Sequence, residues 1–263
     1  MSVKTDSGRR YIEVETIVPG TPEEVWEAIA SGPGISSWFV STDLEQKVGG
    51  RKVAHFGPGM DSGATVEEWD APHRFAVRHD PGQEGPVMGS EWIVEARGGG
   101  YCTVRVVNSL FTESDEWDGQ ITGLEQGWPG FFRILGLYLQ HFRGLPASSF
   151  LAMAFPPGSE GEVWDRLVAA LGLTGAVAGD RVLTAEGTPR LEGQIEAAGA
   201  GGDAVKHFLL VRFADGIASL GAHNMGGQTC AALTYYQYGE DAAEKAAAAE
   251  AEWSKWLKDF ATT

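Results

Sequence analysis

The sequence has 263 residues, of which 43% are hydrophobic and 10% aromatic, and this composition excludes an intrinsically disordered chain. A formal net charge of -16 at pH 7 argues against a nucleic-acid partner, because phosphate backbones are bound by clustered Lys and Arg. No stretch approaches the roughly 18 apolar residues needed to cross a bilayer, and the N-terminal residues lack an apolar signal core. With only two cysteines and no disulfide framework, we expect a cytoplasmic protein without membrane insertion.

The chain opens with a predicted strand and a capped helix. Residues 11–18 alternate with strand period, and a Pro-Gly-Thr-Pro turn follows. Thr21 is the expected N-cap of the helix, and the two glutamates after Pro22 complement the dipole of its first turn. The Gly-Pro-Gly sequence at 32–34 is expected to stop this helix, and the apolar residues 35–40 predict a second, short helix.

Five further strands are predicted before the next helix, separated by turns rich in glycine and proline. They cover residues 52–56, 64–69, 74–79, 91–96 and 101–111. The sequence holds 36 glycines, many of them between short alternating runs. Because this arrangement is typical of hairpins, we predict an antiparallel sheet.

A long helix is predicted over residues 123–142, because apolar side chains recur every three or four residues along one face. The stripe is rich in aromatic side chains, which need a large concave partner. Pro129 lacks an N–H and is expected to kink or restart this helix. From periodicity alone, an ordinary core helix is the simpler interpretation.

A second copy of this unit is indicated by a long internal repeat. Residues 157–167 (PGSEGEVWDRL) repeat residues 19–29 (PGTPEEVWEAI) at a constant offset of 138 residues. Both segments combine a Pro-Gly turn, a Thr or Ser cap and a helix with Glu-Val-Trp. An offset of this length indicates duplicated domains and not a solenoid.

The second copy continues with further strands and a closing helix. The predicted strands cover residues 148–155, 181–185, 190–197, 205–213, 217–223 and 229–238, and the helix covers residues 241–260. The first turns of this helix contribute mostly alanine, and only its end is bulky. We therefore predict two domains, residues 1–145 and 146–263, and expect the first to hold a ligand site if one copy has kept it.

Six segments of the first copy occur in a characteristic order and spacing. They are TPEEVWEAI, the short WF segment, VGGRKV, EEWDAPHRF, TVRVVNSLF and GLEQGW, and they span most of residues 11–142. Together they resemble the START-like superfamily, often called SRPBCC in bacteria, and within it the family of activator of Hsp90 ATPase homologues. The second copy looks like a degenerate repeat of the same unit.

The resemblance implies an α+β fold with two tandem helix-grip (START-like, Bet v 1-like) domains. Each has a seven-stranded antiparallel sheet that curves around a long C-terminal helix and leaves a cavity. Cavities of this superfamily hold lipids, hormones, polyketides or aromatic compounds, and a few members catalyse cyclisation or hydrolysis there. Asn108 and Leu110 stand where the family commonly has His and Gly, so an altered cavity floor is expected. The co-chaperone's separate N-terminal domain has no counterpart in the sequence, so an Hsp90 partner is not expected.

Ten residues of the first domain are predicted to bind the ligand. They are Trp38, Phe39, His55, His79, Trp92, Asn108, Trp128, Phe131, Phe132 and Leu135. Asn108 shares a strand face with apolar residues, so its amide is either satisfied by backbone or water or offered to a ligand. Trp128 is expected at the cavity mouth. A lone strand histidine such as His55 or His79 is more often a surface or hydrogen-bonded residue than a catalyst.

Neither a metal site nor a cofactor is predicted, because the six histidines lack the spacing of zinc or iron ligands. The leading hypothesis is a protein that binds a small apolar molecule, lipid-like or aromatic, in the first domain. The alternatives are a cyclase- or hydrolase-type enzyme acting on a similar ligand and a protein-interaction module without a ligand. Catalytic residues, the identity of the ligand and the oligomeric state stay open.

Overall fold

The computed structural model describes residues 3–57, 59–81, 85–199 and 206–262. The chain divides into two compact units, Met1–Gly144 and Leu145–Thr263. This division falls one residue before the domain boundary proposed from the sequence. None of the described helices is long and apolar enough to span a membrane.

Within its described residues, the first unit contains eight strands and three helices. The strands are β1 (Lys4–Asp6), β2 (Arg9–Pro19), β3 (Thr42–Leu44), β4 (Arg51–His55), β5 (Asp61–Asp70), β6 (Arg74–His79), β7 (Met88–Arg97) and β8 (Tyr101–Leu110). The helices are α1 (Pro22–Ala30), α2 (Gly32–Ser36) and α3 (Asp118–His141). The strands form one antiparallel sheet in the order β1-β2-β8-β7-β6-β5-β4-β3.

The sheet and α3 enclose the core of this unit. Helix α3 packs across β2 and β8, and its residues Ile121, Leu135 and Leu139 are buried. On β8, alternate side chains from Cys102 to Leu110 are buried, whereas Arg105 forms ion pairs with glutamates of the neighbouring strands. Thr103, Val107 and Ser109 share the face of Arg105 and are also buried, so both faces of β8 are largely covered.

The sheet has eight described strands, whereas the resemblance implies seven. Strands β1 and β3 are three residues long and lie at the two edges of the sheet. Runs this short show no period-two pattern, which explains why the sequence did not predict them. The other six strands begin and end within three residues of the predicted ones.

The Gly-Pro-Gly sequence opens a helix, contrary to the prediction that it only ends one. The Ser31 hydroxyl accepts a hydrogen bond from the Gly34 N–H at 2.9 Å and so caps α2. Pro33 lies in the first helical turn, where its missing N–H has no cost. The predicted helix at residues 35–40 is therefore wrong in its bounds, and Trp38 lies in the turn that follows α2.

The long helix α3 begins earlier than predicted and continues through Pro129 without a restart. Arg10 of β2 accounts for the early start. Its Nε and Nη2 donate to the two carboxylate oxygens of Asp118 at 2.6 and 2.5 Å. The ion pair ties the first turn of α3 to the sheet and places negative charge at the helix N-terminus, where the dipole favours it.

Within its described residues, the second unit contains six strands and two helices. The strands are β9 (Ala147–Ala154), β10 (Arg181–Leu183), β11 (Glu192–Ala198), β12 (Phe208–Phe213), β13 (Gly216–Met225) and β14 (Gln228–Tyr238). The helices are α4 (Glu160–Ala170) and α5 (Ala242–Phe260). The strands form an antiparallel sheet in the order β10-β11-β12-β13-β14-β9. The first residue of the predicted strand 205–213 lies outside the described residues.

The internal repeat reappears as two identical helix starts. Thr21 and Ser159 each accept a hydrogen bond from the backbone N–H three residues later, at 3.3 and 3.4 Å. The carboxylates of Glu24 and Glu162 in turn accept a hydrogen bond from the backbone N–H of the cap residue, which completes a capping box in both copies. Helix α5 packs against β9 and β14 as α3 packs against its own sheet. The predicted fold class, α+β with two tandem helix-grip domains, is confirmed.

Candidate functional site

A cavity of about 110 Å³ lies in the first unit between the sheet and its helices. The elements that line it are α1, α2 and the turn after it, strands β4 to β8 and α3. The lining residues are Ile29, Ile35, Trp38, Phe39, Lys52, Ala54, Phe56, Ser62, His79, Met88, Ser90, Trp92, Asn108, Leu124 and Trp128. Most of them are apolar, and the polar ones come from the sheet and not from the helices.

The apolar wall consists of aromatic side chains that contact one another. Trp128 of α3 stacks on Phe39 with 5.7 Å between ring centroids and meets Trp92 of β7 edge to face at 5.1 Å. Trp38 meets Trp92 at 6.0 Å, and its Nε1 donates to the Ala28 carbonyl oxygen at 2.9 Å. Because that N–H is satisfied by backbone, Trp38 offers the cavity only its apolar ring.

The cavity exists because small side chains occupy the sheet opposite the aromatic wall. Ala54 pairs with Ser62 across β4 and β5, and Ser90 pairs with Asn108 across β7 and β8. Cross-strand partners share a face, so Ala54 and Ser62 together leave a depression that larger side chains would fill. Phe56 also lines the cavity and is 39% exposed.

Four side chains of the lining are joined by short hydrogen bonds. Trp128 Nε1 donates to Asn108 Oδ1 at 2.7 Å, and Asn108 Nδ2 donates to Ser90 Oγ at 2.7 Å. The Ser90 oxygen also lies 2.9 Å from His79 Nε2. Asn108 is 2% exposed, and both ends of its amide are satisfied by side chains of the cavity. This network fixes the orientation of Trp128 and Asn108.

His79 is neutral at physiological pH. Burial lowers its pKa from 6.5 to about 4, and the positive charge of Lys52 acts in the same direction. Its Nδ1 atom is buried and has no hydrogen-bond partner among the described residues. A neutral imidazole carries one proton, so Nδ1 is either an unused donor or an unused acceptor. Such a buried, unsatisfied atom is uncommon in folded proteins.

Lys52 brings a second ionisable group to the lining. Lys52 pairs with Ala64 across β4 and β5, and Ala64 pairs with His79 across β5 and β6. The two ionisable side chains therefore lie on the same face of the sheet with a small residue between them. Lys52 is 9% exposed, and burial lowers its pKa from 10.5 to about 8.

The structure brings six of the ten predicted site residues together around the cavity. They are Trp38, Phe39, His79, Trp92, Asn108 and Trp128. Phe131, Phe132 and Leu135 are on α3 but do not belong to the lining. Phe131 contacts Phe39 with 4.6 Å between centroids, Phe132 stacks on Trp128 at 5.7 Å, and Leu135 is fully buried. These three residues support the aromatic wall.

Two expectations about the site are wrong. His55 does not face the cavity, because Lys52 and Ala54 point inward and side chains of a strand alternate. Its ring nitrogens instead contact Asp43 at 3.1 Å and Asp61 at 2.9 Å, and these hydrogen bonds raise its pKa. Trp128 does not lie at the cavity mouth, since it is 9% exposed and is hydrogen-bonded inside the cavity.

Sequence reasoning missed the polar residues Lys52, Ser62 and Ser90. Lysine is rarely buried, so Lys52 is normally assigned to solvent even within an alternating run. The useful indication is its spacing of two from Ala54, which places both side chains on one face. Ser90 was missed because the predicted strand covers only residues 91–96, where polar and apolar side chains alternate most clearly. Strand β7 begins at Met88 and therefore includes Ser90.

Metal chemistry finds no support in the part of the chain that the structure describes. There, no group of three or more His, Cys, Asp or Glu side chains is placed to hold a metal ion. Cys102 and Cys230 are both buried and not disulfide-bonded. The Cys102 thiol donates to the Gly20 carbonyl oxygen at 3.4 Å, and burial raises its pKa, so it has the character of a small core residue.

A curved antiparallel sheet that holds a long C-terminal helix over an aromatic cavity defines a helix-grip domain of the START-like superfamily. Residues 9–137 match the family described as "Polyketide cyclase / dehydrase and lipid transport". The match covers most of the first unit. The predicted resemblance to the START-like superfamily is thereby confirmed. Comparison with curated proteins gave no match.

Several solved structures are similar to this chain. The di-domain ARO/CYC BexL from the BE-7585A biosynthetic pathway has a TM-score of 0.46 and 14% identity, covering 97% of this chain and 99% of BexL. DynU16, from the dynemicin biosynthetic locus, has a TM-score of 0.44 and 16% identity, and the alignment covers 95% of this chain and 96% of DynU16. An HSP90 activator from Plasmodium falciparum has a TM-score of 0.42 and 14% identity, covering 49% of this chain and 96% of its own.

Proposed function

We propose that this protein binds a small apolar molecule, aromatic or with a short alkyl chain, in the cavity of its first unit. One observation carries the proposal. Aromatic side chains from α3, β7 and the turn after α2 converge on an unfilled space of about 110 Å³. Protein interiors are packed to the density of organic crystals, so core packing alone does not account for a space of this size. The match to a family of polyketide cyclases and lipid transport proteins supports the same class of ligand.

The size of the cavity limits the ligand. An engineered cavity of about 150 Å³ lined by apolar side chains binds benzene. A cavity of about 110 Å³ is of the same order and suits one aromatic ring or a short alkyl chain. A longer, lipid-like chain requires the aromatic wall to move, so we place a single-ring compound before a lipid.

Filling the cavity tests the proposal. Ala54→Leu adds bulk to a lining residue, and we expect it to weaken the binding of benzyl alcohol at least about tenfold, measured by titration calorimetry on the full chain. Val53→Leu is the matched control, because Val53 is the next residue of β4 and does not line the cavity. It should bind like the wild type. Absence of binding of both benzyl alcohol and benzene to the wild type would show the proposal to be wrong.

A second candidate is a cyclase- or hydrolase-type enzyme acting on a similar ligand. The specific observation in its favour is the chain of hydrogen bonds from His79 through Ser90 to Asn108. A neutral imidazole next to a serine hydroxyl in an apolar cavity is able to accept its proton. No carboxylate orients His79 through Nδ1 among the described residues, in contrast to a catalytic triad. Binding is therefore the better supported function.

The enzyme candidate has its own test. If His79 acts as the base, the wild type should hydrolyse 4-nitrophenyl acetate faster than the reaction proceeds in buffer alone. His79→Gln should lower the rate of hydrolysis by the protein at least about tenfold. His73→Gln is the control, since His73 is exposed and does not line the cavity. A wild-type rate equal to that of buffer, or an equal loss in both variants, would remove this candidate and leave the binding proposal intact.

A further inference from the structure

Lys52 is a buried cation that has no counterion among the residues that the structure describes. Its neighbour Arg51, on the opposite face of β4, forms a bidentate ion pair with Asp80. Arg10 and Arg74 likewise pair with carboxylates. Lys52 forms no ion pair with any carboxylate of the described residues, although it is only 9% exposed. The chain has 36 acidic residues, so the lack of a partner does not reflect a shortage of carboxylates.

The side chains that share the face of Lys52 do not offset its charge. Leu44 of β3 and Ala64 of β5 pair directly with Lys52, and His79 of β6 is the next residue in the same row. His79 is neutral near pH 7, and its protonation would only add positive charge. The residues that α1, α2, α3 and β7 contribute to the lining carry no ionisable side chain.

The nearest acidic residues of the adjoining strands are engaged elsewhere. Asp43 of β3 and Asp61 of β5 contact the two ring nitrogens of His55 on the opposite face of β4. Burying an ammonium group without a counterion opposes folding, because the desolvated charge loses its hydration. A cost of this kind is typical of positions that are retained for a function.

We propose that the ligand of this cavity carries a carboxylate group and that Lys52 binds it, while the aromatic wall holds the apolar part of the ligand. The inference rests on the proposed function, since it needs a ligand in the same cavity. One ammonium group matches the single negative charge of a carboxylate. A phosphate carries more charge and is usually bound by Arg or by several charged donors, whereas this lining contains no Arg and Lys52 as its one charged group near pH 7. A compact aryl carboxylate satisfies both the charge and the volume.

Benzoate and benzyl alcohol test the inference, because they share a ring and differ in charge. In titration calorimetry on the full chain at pH 7, the wild type should bind benzoate at least about tenfold more tightly than benzyl alcohol. Lys52→Met should lose at least about tenfold in affinity for benzoate and so abolish this preference, and its circular dichroism spectrum should match that of the wild type, which shows that the variant is folded. Lys47→Met removes an exposed lysine whose partner is Glu45, and it should leave both affinities unchanged.

The dependence on pH provides a second readout. Benzoate stays ionised above pH 6, whereas Lys52 loses its proton as the pH rises through about 8. The Kd of benzoate should therefore be constant between pH 6 and 7 and rise about tenfold per pH unit well above pH 8. His79 titrates near pH 4 and does not contribute in this range. The Kd of benzyl alcohol should stay constant throughout.

The outcomes separate this inference from the proposed function. If benzyl alcohol or benzene binds and benzoate binds no better, the inference is wrong and the binding function stands. The same conclusion follows if Lys52→Met leaves the affinity for benzoate unchanged. If none of the three compounds binds the wild type, the proposed function fails, and the inference fails with it.

Discussion

Lys52 is a residue whose placement in the structure opposes folding. Its side chain is 9% exposed on the cavity face of the sheet, where Leu44 and Ala64 are its cross-strand partners, and burial lowers its pKa to about 8. A lysine has a pKa near 10.5 in an unfolded chain. Between pH 8 and 10.5 the unfolded chain therefore binds more protons than the folded one, so this group makes stability rise with pH. Below pH 8 the folded protein bears the full free-energy cost of burying the charged ammonium group.

Replacing Lys52 by methionine should remove that penalty. Methionine is apolar and of similar length, so we expect Lys52→Met to raise the free energy of unfolding at pH 7 by up to about 3 kcal/mol. The gain should shrink as the pH rises from 8 to 10.5, because the wild-type lysine becomes neutral there. Urea denaturation of both proteins across this range provides the measurement.

The control for this prediction is Lys47→Met. Lys47 is exposed, so its replacement should change stability by no more than about 0.5 kcal/mol at any of these pH values. A Lys52→Met variant that is less stable than the wild type at pH 7 would show that the buried ammonium is compensated inside the folded protein. A gain that is independent of pH would attribute the effect to packing and not to charge.

At the scale of elements, long periodic segments could be predicted and short ones could not. Strands such as β6 and β8 were predicted almost to the residue, because alternation over six or more residues is a strong indication. Strands β1 and β3 have three residues each and depend on pairing with β2 and β4, which no local pattern reveals. The capping boxes at Thr21 and Ser159 were predictable because Ser or Thr three residues before Glu satisfies the same two N–H groups in both copies.

The candidate site depends on strand phase, which the sequence of β4 leaves open. Residues 51–56 alternate in two ways: Arg51, Val53 and His55 on one face, and Lys52, Ala54 and Phe56 on the other. The sequence prediction named His55 as a ligand-binding residue, which requires the histidine face to point toward the cavity. The structure places the lysine face toward the cavity, where Ala54 leaves space and Phe56 adds an apolar edge. Which face of β4 points toward the cavity is decided by the elements that pack against the strand, and the sequence of the strand alone does not reveal them.

At the scale of the whole molecule, the duplication supplies two versions of one architecture. In the second unit, the bulky residues Trp253, Leu257 and Phe260 of α5 belong to the same buried cluster as Phe150 and Tyr235 of its sheet. Large side chains of the second sheet and of α5 thus belong to one buried cluster, whereas small side chains such as Ala54 and Ser62 line a cavity in the first unit. The first unit also provides the hydrogen-bonded network around Asn108. These differences favour the first unit as the one that holds a ligand.

Chemical-shift mapping on the full chain tests which unit binds. An aromatic ligand shifts nearby amide resonances through its ring current, so saturating benzyl alcohol should shift the backbone amides of Ser62, Ser90 and Asn108, which line the cavity. The amides of Leu220 and Leu233, buried in the sheet of the second unit, should keep their positions. Ala54→Leu should abolish the shifts in the first unit, because the added side chain occupies the ligand's volume. Shifts confined to the second unit would contradict the assignment and would place the ligand among residues that the sequence marks as degenerate.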